Sequence, residues 1–439
     1  MFLSYLLFSL IYCWFTKSGI ASIIFILLVT TVLILPIKYL SKENTSKYLL
    51  IASIFLILPL GLPSSFKSTF LPIGYQYMSI SLISSIFYLV NYLNKNSKIN
   101  NSQLICKTAM AVIAPMTYFA GPSATFEEIN NKSFKFALPK LEFSNLKIDL
   151  TISGFFRLSL GYLLNSFDTL AIYESFSLSS LSSIESSTYL IIIGFFNFWK
   201  YYLLFSGASE LCKAFLSIFR IDVIDNFKDP EISIYYHEIW ARWHLNITER
   251  IRNYLFTPMT LFALRRFSNF NKKFNYIFVE IMPTLSLFII LSIWHGARKT
   301  DFLFGFISAT FTILSRLLSK QIMKNNSLSK NIFFIEISRF FSLSLFGVVL
   351  IIYDFANKIS EQASEINFSF KQFLPYLILS LLVYSYYRMK INLFKDNNIF
   401  ENRNKRFSIL YFESVILIIL NILIIPEFRT STNFIYFAQ

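Results

Sequence analysis

The sequence predicts an all-α, polytopic integral membrane protein, with roughly 10–13 membrane helices plus interfacial and re-entrant helices. Three observations predict it. The 439 residues are 55% hydrophobic, with a mean hydropathy of +0.54. Only 15% are charged, against about a quarter in a soluble domain. The apolar residues come in runs near the ~20 needed to cross a bilayer. Many basic residues fall in short turns between those runs, as topology-setting lysines do. A soluble globule is excluded. The net charge of +15 reads as loop and interface charge, with no nucleic-acid partner.

In chain order, the candidate spans are Leu3–Phe15, Ile20–Ile37, Tyr48–Leu62, Ile73–Leu93 and Leu104–Ala120. They continue with Ile152–Leu170, Leu190–Phe205, Ile277–Trp294, Phe302–Leu318, Phe333–Tyr353, Phe373–Tyr387 and Ile409–Ile425. The first run lacks a basic leader and a small-residue cleavage pattern, so it is expected to be a retained span. Lys38, Lys42 and Lys47, then Lys95, Lys98 and Lys107, follow the second and fourth runs and put the N-terminus inside. Lys132, Lys135 and Lys140 break that parity. One membrane domain is expected over 1–439, with N-terminal spans in 1–70, a core in 71–318 and C-terminal spans in 319–439.

Within this frame polar residues mark sites. Gln76 and Ser79 lie on the fourth run, facing a bundle interior or packing small against a neighbouring helix. Pro115 and Gly121-Pro122 break helix near the membrane, and Glu127 and Glu128 open a polar stretch to Lys147. Ser179–Ser187 reads as loop. Ser206, Gly207, Ser209 and Glu210 cluster in an apolar segment, Trp199–Phe219. A carboxylate there needs a partner: either Glu210 serves a site or it pairs with Lys213 at the span's edge. Cys13, Cys106 and Cys212 are isolated and read as packing residues.

The densest chemistry lies in Asp225–Pro258, DNFKDPEISIYYHEIWARWHLNITERIRNYLFTP. A helix from Ile234 onward puts Trp240, Trp243, Ile247, Ile251, Tyr254, His237 and His244 on one face and Glu238, Arg242, Glu249 and Asn253 on the other. A buried imidazole is costly without a partner. His244 is therefore either a hydrogen-bonded core residue or a working one. The chain has only 3 histidines, and His244 and His295 both follow a tryptophan. Arg265-Arg266 and Lys272-Lys273 form an interfacial basic patch. Glu336, Arg339 and Asp354 are scattered charges that assemble into no constellation.

Taken in order, these segments resemble the membrane-bound O-acyltransferase (MBOAT) family, in the bacterial branch of alginate O-acetylases and the teichoic-acid D-alanyl transfer protein. LPIGYQYMSISLISSIFYLVNY is similar to the family's Pro-x-Gly-x-x-Phe-Tyr span. FAGPSATFEEI is similar to its Ala-Gly-Pro segment and FSGASELCKAF to its Ser-Gly-x-Ser-Asp segment. DNFKDPEIS with WARWHLNITERIRNYLFTP resembles its Asn-Phe…Pro, Trp-x-Arg-Trp-His and Arg-Asp-Tyr-Leu signature, and LSIWHGA its Trp-His-Gly-Ala element. Departures stand at Asn253, Glu210, Lys299, Asp301 and Tyr353–Phe355.

The resemblance implies acyl transfer from a thioester to a hydroxyl, with the family's active-site histidine at His295 and its second functional polar residue at His244. It further implies a tunnel through the bundle and a separate partner acyltransferase on the far side. Such transfer needs a base for the hydroxyl proton and a donor for the oxyanion. His295 is the expected base. His244 orients it or donates to the oxyanion, and Trp294, Trp243, Arg242, Asn253 and Glu210 support them. The expected donor is acetyl-CoA or an acyl carrier protein, with no bound cofactor and no metal. The expected acceptor is an extracytoplasmic polysaccharide, and the expected location the bacterial cytoplasmic (inner) membrane. A D-alanyl transferase and a polytopic glycan-precursor transporter are the alternatives. A zinc site on His237, His244 and His295 is a further reading, with no acidic residues to support it.

Overall fold

A computed structural model describes parts of 31–56, 75–95, scattered positions in 104–129, and 146–166, 184–219, 221–267, 276–324, 326–355, 370–395 and 408–419. The expected span Leu3–Phe15, most of the next two and of Leu104–Ala120, and the broken segment at Pro115 and Gly121-Pro122 lie outside the described residues. So do Lys272-Lys273 and the lysine clusters, apart from Lys95 and Lys107.

Every element among the described residues is helical. They are α1 (Tyr75–Lys95), α2 (Ile148–Ser166), α3 (Ile184–Ile218), the short α4 (Tyr236–Trp240) and α5 (Leu245–Ile251), and α6 (Thr257–Phe267). After these come α7 (Met282–His295), α8 (Lys299–Ile322), α9 (Asn326–Lys330), α10 (Ile332–Phe355) and α11 (Phe370–Lys395). A last apolar helix, α12, covers Ser408–Ile419. The protein is an all-α polytopic membrane protein. Among the described residues, four helical stretches, Leu190–Ile218, Ile277–His295, Lys299–Ile322 and Ile332–Ile351, are long and apolar enough to cross a bilayer.

The centre of the bundle is α3. Its Leu190–Phe205 stretch is mostly apolar, and the helix is buried against α2, α10 and α11, as a helix of low amphipathicity must be. Phe195, Phe196, Phe198, Trp199 and Tyr202 are almost wholly buried, with Trp199 5.4 Å from the Tyr387 ring. Where α3 crosses α10, a Cβ on Gly347 would collide with the Gly194 carbonyl, so two glycines set the helix separation. Outward faces carry the opposite signature: Phe306 on α8 is 65% exposed and Phe333 on α10 73%, as lipid-facing side chains are.

Three expectations need correcting. The span foreseen at Leu190–Phe205 belongs to one 35-residue helix. It starts at Ile184, inside the serine-rich stretch read as loop, and carries the Ser206–Glu210 cluster within it. Serine suits a helix entrance as well as a loop. The helix expected from Ile234 onward is broken: α4 ends at Trp240, a turn follows, and α5 starts after His244. Glu336 and Arg339 are not scattered. Glu336 accepts from the Tyr384 hydroxyl and pairs with Arg339 and, at 3.2 Å, with Arg388, lining a groove of about 710 Å³. Arg339 is only three residues on, but Tyr384 and Arg388 lie 48 and 52 positions away on α11, beyond the reach of any local pattern.

Prolines shape the two helices that flank the site. Wide π-type turns at Arg252–Phe256 and Ile277–Ile281 each precede a proline, Pro258 and Pro283. A proline within a helix lacks its N–H and crowds the carbonyl four residues back. A π turn absorbs the mismatch.

Candidate functional site

The segment between α3 and α5 is laid against the break in the helix. The Lys228 N–H donates to the Arg242 carbonyl (3.0 Å) and the Leu245 N–H to the Asn226 carbonyl (2.8 Å). The Asn226 side-chain oxygen accepts from the Asn246 N–H (3.3 Å) and sits 2.7 Å from Nδ1 of His244. His244 stands at φ 52, ψ 48, a left-handed conformation that costs a non-glycine residue about 1–2 kcal/mol. These long-range bonds outweigh the local preference for continuous helix. The turn drives His244 inward.

Around His244 is a shell of rings. Its centroid lies 4.6 Å from Phe205 and 5.9 Å from Trp294, and Trp294 lies 4.7 Å from the His295 ring. His295 also packs edge-on to Phe304 at 5.9 Å. Two Trp-His pairs some fifty positions apart in sequence thus meet in one cluster. His244 is 7% exposed. Burial, then His295 and then Arg250, hold its imidazole well below its ordinary value, so it is neutral at physiological pH.

The turn after His295 is equally defined. Gly296 at φ 137 and Ala297 at φ 58 end α7, and the Ala297 N–H returns to the Ser292 carbonyl at 3.0 Å. Asp301, fully buried, accepts from the Arg298 N–H at 2.8 Å and from its guanidinium at 3.0 Å. This departure from the family pattern caps the start of α8.

The other expected site residues divide. Trp243 is buried between Phe227 (5.0 Å) and Phe346 (4.9 Å), packing beneath the cluster. Arg242 turns outward and donates to the Lys228 carbonyl at 3.0 Å. Asn253 is exposed. Glu210 does not take Lys213: it pairs with Arg157 at 3.2 Å, while Lys213 pairs with Asp225. His237 parts from the other two histidines because the helix between them breaks. Its Nδ1 is 3.0 Å from the Ser315 hydroxyl.

The pattern also missed a polar cavity of about 270 Å³, lined by Arg157, Tyr202, Ser206, Glu210, Asn226 and neighbours. Asn226 joins this cavity to His244. Beside it Glu231 is fully buried. Burial, then Asp229, push its carboxyl up to about 7. The one sequence signal for Asn226 was its place in the Asn-Phe…Pro stretch. Nothing in the sequence distinguished Glu231.

Comparison with known proteins falls on this geometry. The chain is 25% identical over 254 residues to the "Probable alginate O-acetylase" of Pseudomonas putida, a match covering 56% of this chain and 46% of that protein. It is 23% identical over 187 residues to the teichoic acid D-alanyltransferase of Bacillus subtilis, covering 42% of this chain and 46% of the relative. The chain is similar to membrane-bound O-acyltransferases. A peptidoglycan O-acetyltransferase of Helicobacter pylori matches at 21% over 126 residues, 29% of this chain and 22% of that one. The chain spans about half the length of the Pseudomonas and Bacillus relatives. No family model matches it.

Proposed function

We propose that this protein is a membrane-bound O-acyltransferase. In this reading it moves an acyl group, most simply acetyl, from a cytoplasmic thioester toward hydroxyls of an extracytoplasmic polysaccharide, directly or through a partner acyltransferase, at the bacterial inner membrane. The observation that carries the reading is the meeting of His244, Trp294 and His295 in one ring-lined cluster, in a chain whose relatives are named as acyltransferases. His295, at the open end of α7 before a left-handed turn, takes the proton of the attacking hydroxyl. The hydroxyl oxygen bonds to the thioester carbonyl carbon, the carbon–sulfur bond breaks, and the proton passes to the departing thiolate. His244 orients His295, and the rings exclude water that would hydrolyse the thioester. The donor is a substrate, acetyl-CoA or an acyl carrier protein. The Bacillus relative favours a second reading, D-alanyl transfer from a carrier protein.

The test is thiol release from acetyl-CoA by the purified full chain in lipid nanodiscs, with and without an acceptor polysaccharide. Acceptor-dependent release that falls by about 10²–10⁴-fold in His295→Gln is the expected result. Equal release by both proteins contradicts the assignment of His295.

A further inference from the structure

We propose that Asn226 is a positioning residue that locks His244 into a single tautomer, with the proton on Nδ1 and the lone pair on Nε2. This deepens the acyltransferase reading and rests on it for its consequence, though not for its test.

The argument starts from the amide. Oxygen and nitrogen of an asparagine side chain are told apart by their partners. The atom facing the Asn246 N–H at 3.3 Å must be the oxygen, because a backbone N–H can only donate. That same oxygen lies 2.7 Å from Nδ1 of His244. An amide oxygen can only accept, so Nδ1 must carry the proton and donate. In the neutral ring Nε2 is then an acceptor. The ring cannot rotate away: Asn226 and His244 are 3% and 7% exposed, and Phe205 and Trp294 flank the imidazole. The left-handed backbone at His244 holds it just before the start of α5, where the Asn226 main-chain carbonyl also takes the Leu245 N–H at 2.8 Å.

This tautomer chooses between the two roles open to His244. A neutral ring with its lone pair at Nε2 offers no N–H to an oxyanion there. It can only accept at Nε2, which fits orienting His295 and not donating to an oxyanion. The charged or titratable groups acting on it are His295 and Arg250, and both disfavour a second proton. Asn226 also touches the polar cavity that runs to Arg157 and Glu210, so a ligand arriving there meets the residue that sets the histidine.

The experiment uses the full chain, labelled with ring-¹⁵N histidine in nanodiscs. The chain has 3 histidines, so His237→Gln and His295→Gln assign the signals. At neutral pH the His244 ring is expected to show a protonated Nδ1 and a bare Nε2. The opposite tautomer, or exchange between the two, overturns the proposal without any activity being measured. Asn226→Asp keeps the acceptor and adds charge. It is expected to preserve the tautomer and raise the pH of the acid limb of kcat. Asn226→Leu is expected to release the tautomer and lower kcat by about 10- to 100-fold, as loss of an orienting partner does elsewhere. An acid limb unmoved in Asn226→Asp overturns the positioning role, and this variant retains the helix-capping oxygen should Asn226→Leu not fold. A locked tautomer in a chain that transfers no acyl group refutes the function and leaves the lock standing.

Discussion

At the scale of single residues, strain and burial at two side chains are separable from chemistry by substitution. His244 holds a left-handed backbone that asparagine adopts more easily. His244→Asn is therefore expected to keep the turn, with a modestly lower melting temperature in detergent from the lost ring packing and Asn226 bond, while acyl transfer falls by about 10²–10⁴-fold. A parallel loss of both would make His244 a structural residue only. The second side chain is Glu231. Its carboxyl is pushed up to about 7, above the ordinary ~4.3, so the folded protein binds its proton more tightly than the unfolded chain does. That contribution is complete below about pH 4 and is lost as pH rises toward 7. Glu231→Gln is expected to flatten the fall in melting temperature across that window. An unchanged slope would contradict a buried, proton-holding carboxyl. His244, depressed, works the other way: the stability of its neutral form is lost as pH drops below about 6.5.

At the scale of elements, long-range contacts decide what periodicity could not. Hydropathy located several spans among the described residues, because a lipid-facing or bundle-filling helix declares itself by composition. Ile277–Trp294 and Phe302–Leu318 differ only at their ends from the observed apolar helices. The same reasoning failed between Ile234 and Tyr254. Apolar spacing there fits a continuous helix, but the loop around Asn226 supplies hydrogen bonds that hold a turn open. His244 and Trp243 were legible as inward-facing residues, since both readings bury them. Arg157, Glu231 and the Glu336–Arg388 pair were not, since their meaning lies in partners on other helices. Close helix crossings are likewise invisible to hydropathy. Gly347→Leu, at the contact with Gly194, is expected to lower stability by about 1–3 kcal/mol through overpacking, read as a lower melting temperature. Full retention of stability would place the crossing elsewhere.

At the scale of the whole molecule, a central buried helix, α3, carries Phe205 and the polar cavity, while the α7–α8 hairpin carries Trp294 and His295. The broken segment at His244 lies between the two. That arrangement brings the buried His244 and the partly exposed His295 together around Trp294, with a polar cavity beside them. The spans around it supply a lipid-facing exterior and an ion-paired rim, such as Glu280 with Arg316 at 3.5 Å and Lys320 at 3.4 Å. The most direct test of the central claim is mass spectrometry of the cell's surface glycans, comparing the intact gene with His295→Ala at equal expression. The account predicts that an acyl ester on the glycan, acetyl in the first reading and alanyl in the second, disappears in the substituted strain. An acyl pattern unchanged in both His295→Ala and a full deletion would contradict it and favour a glycan-precursor transporter.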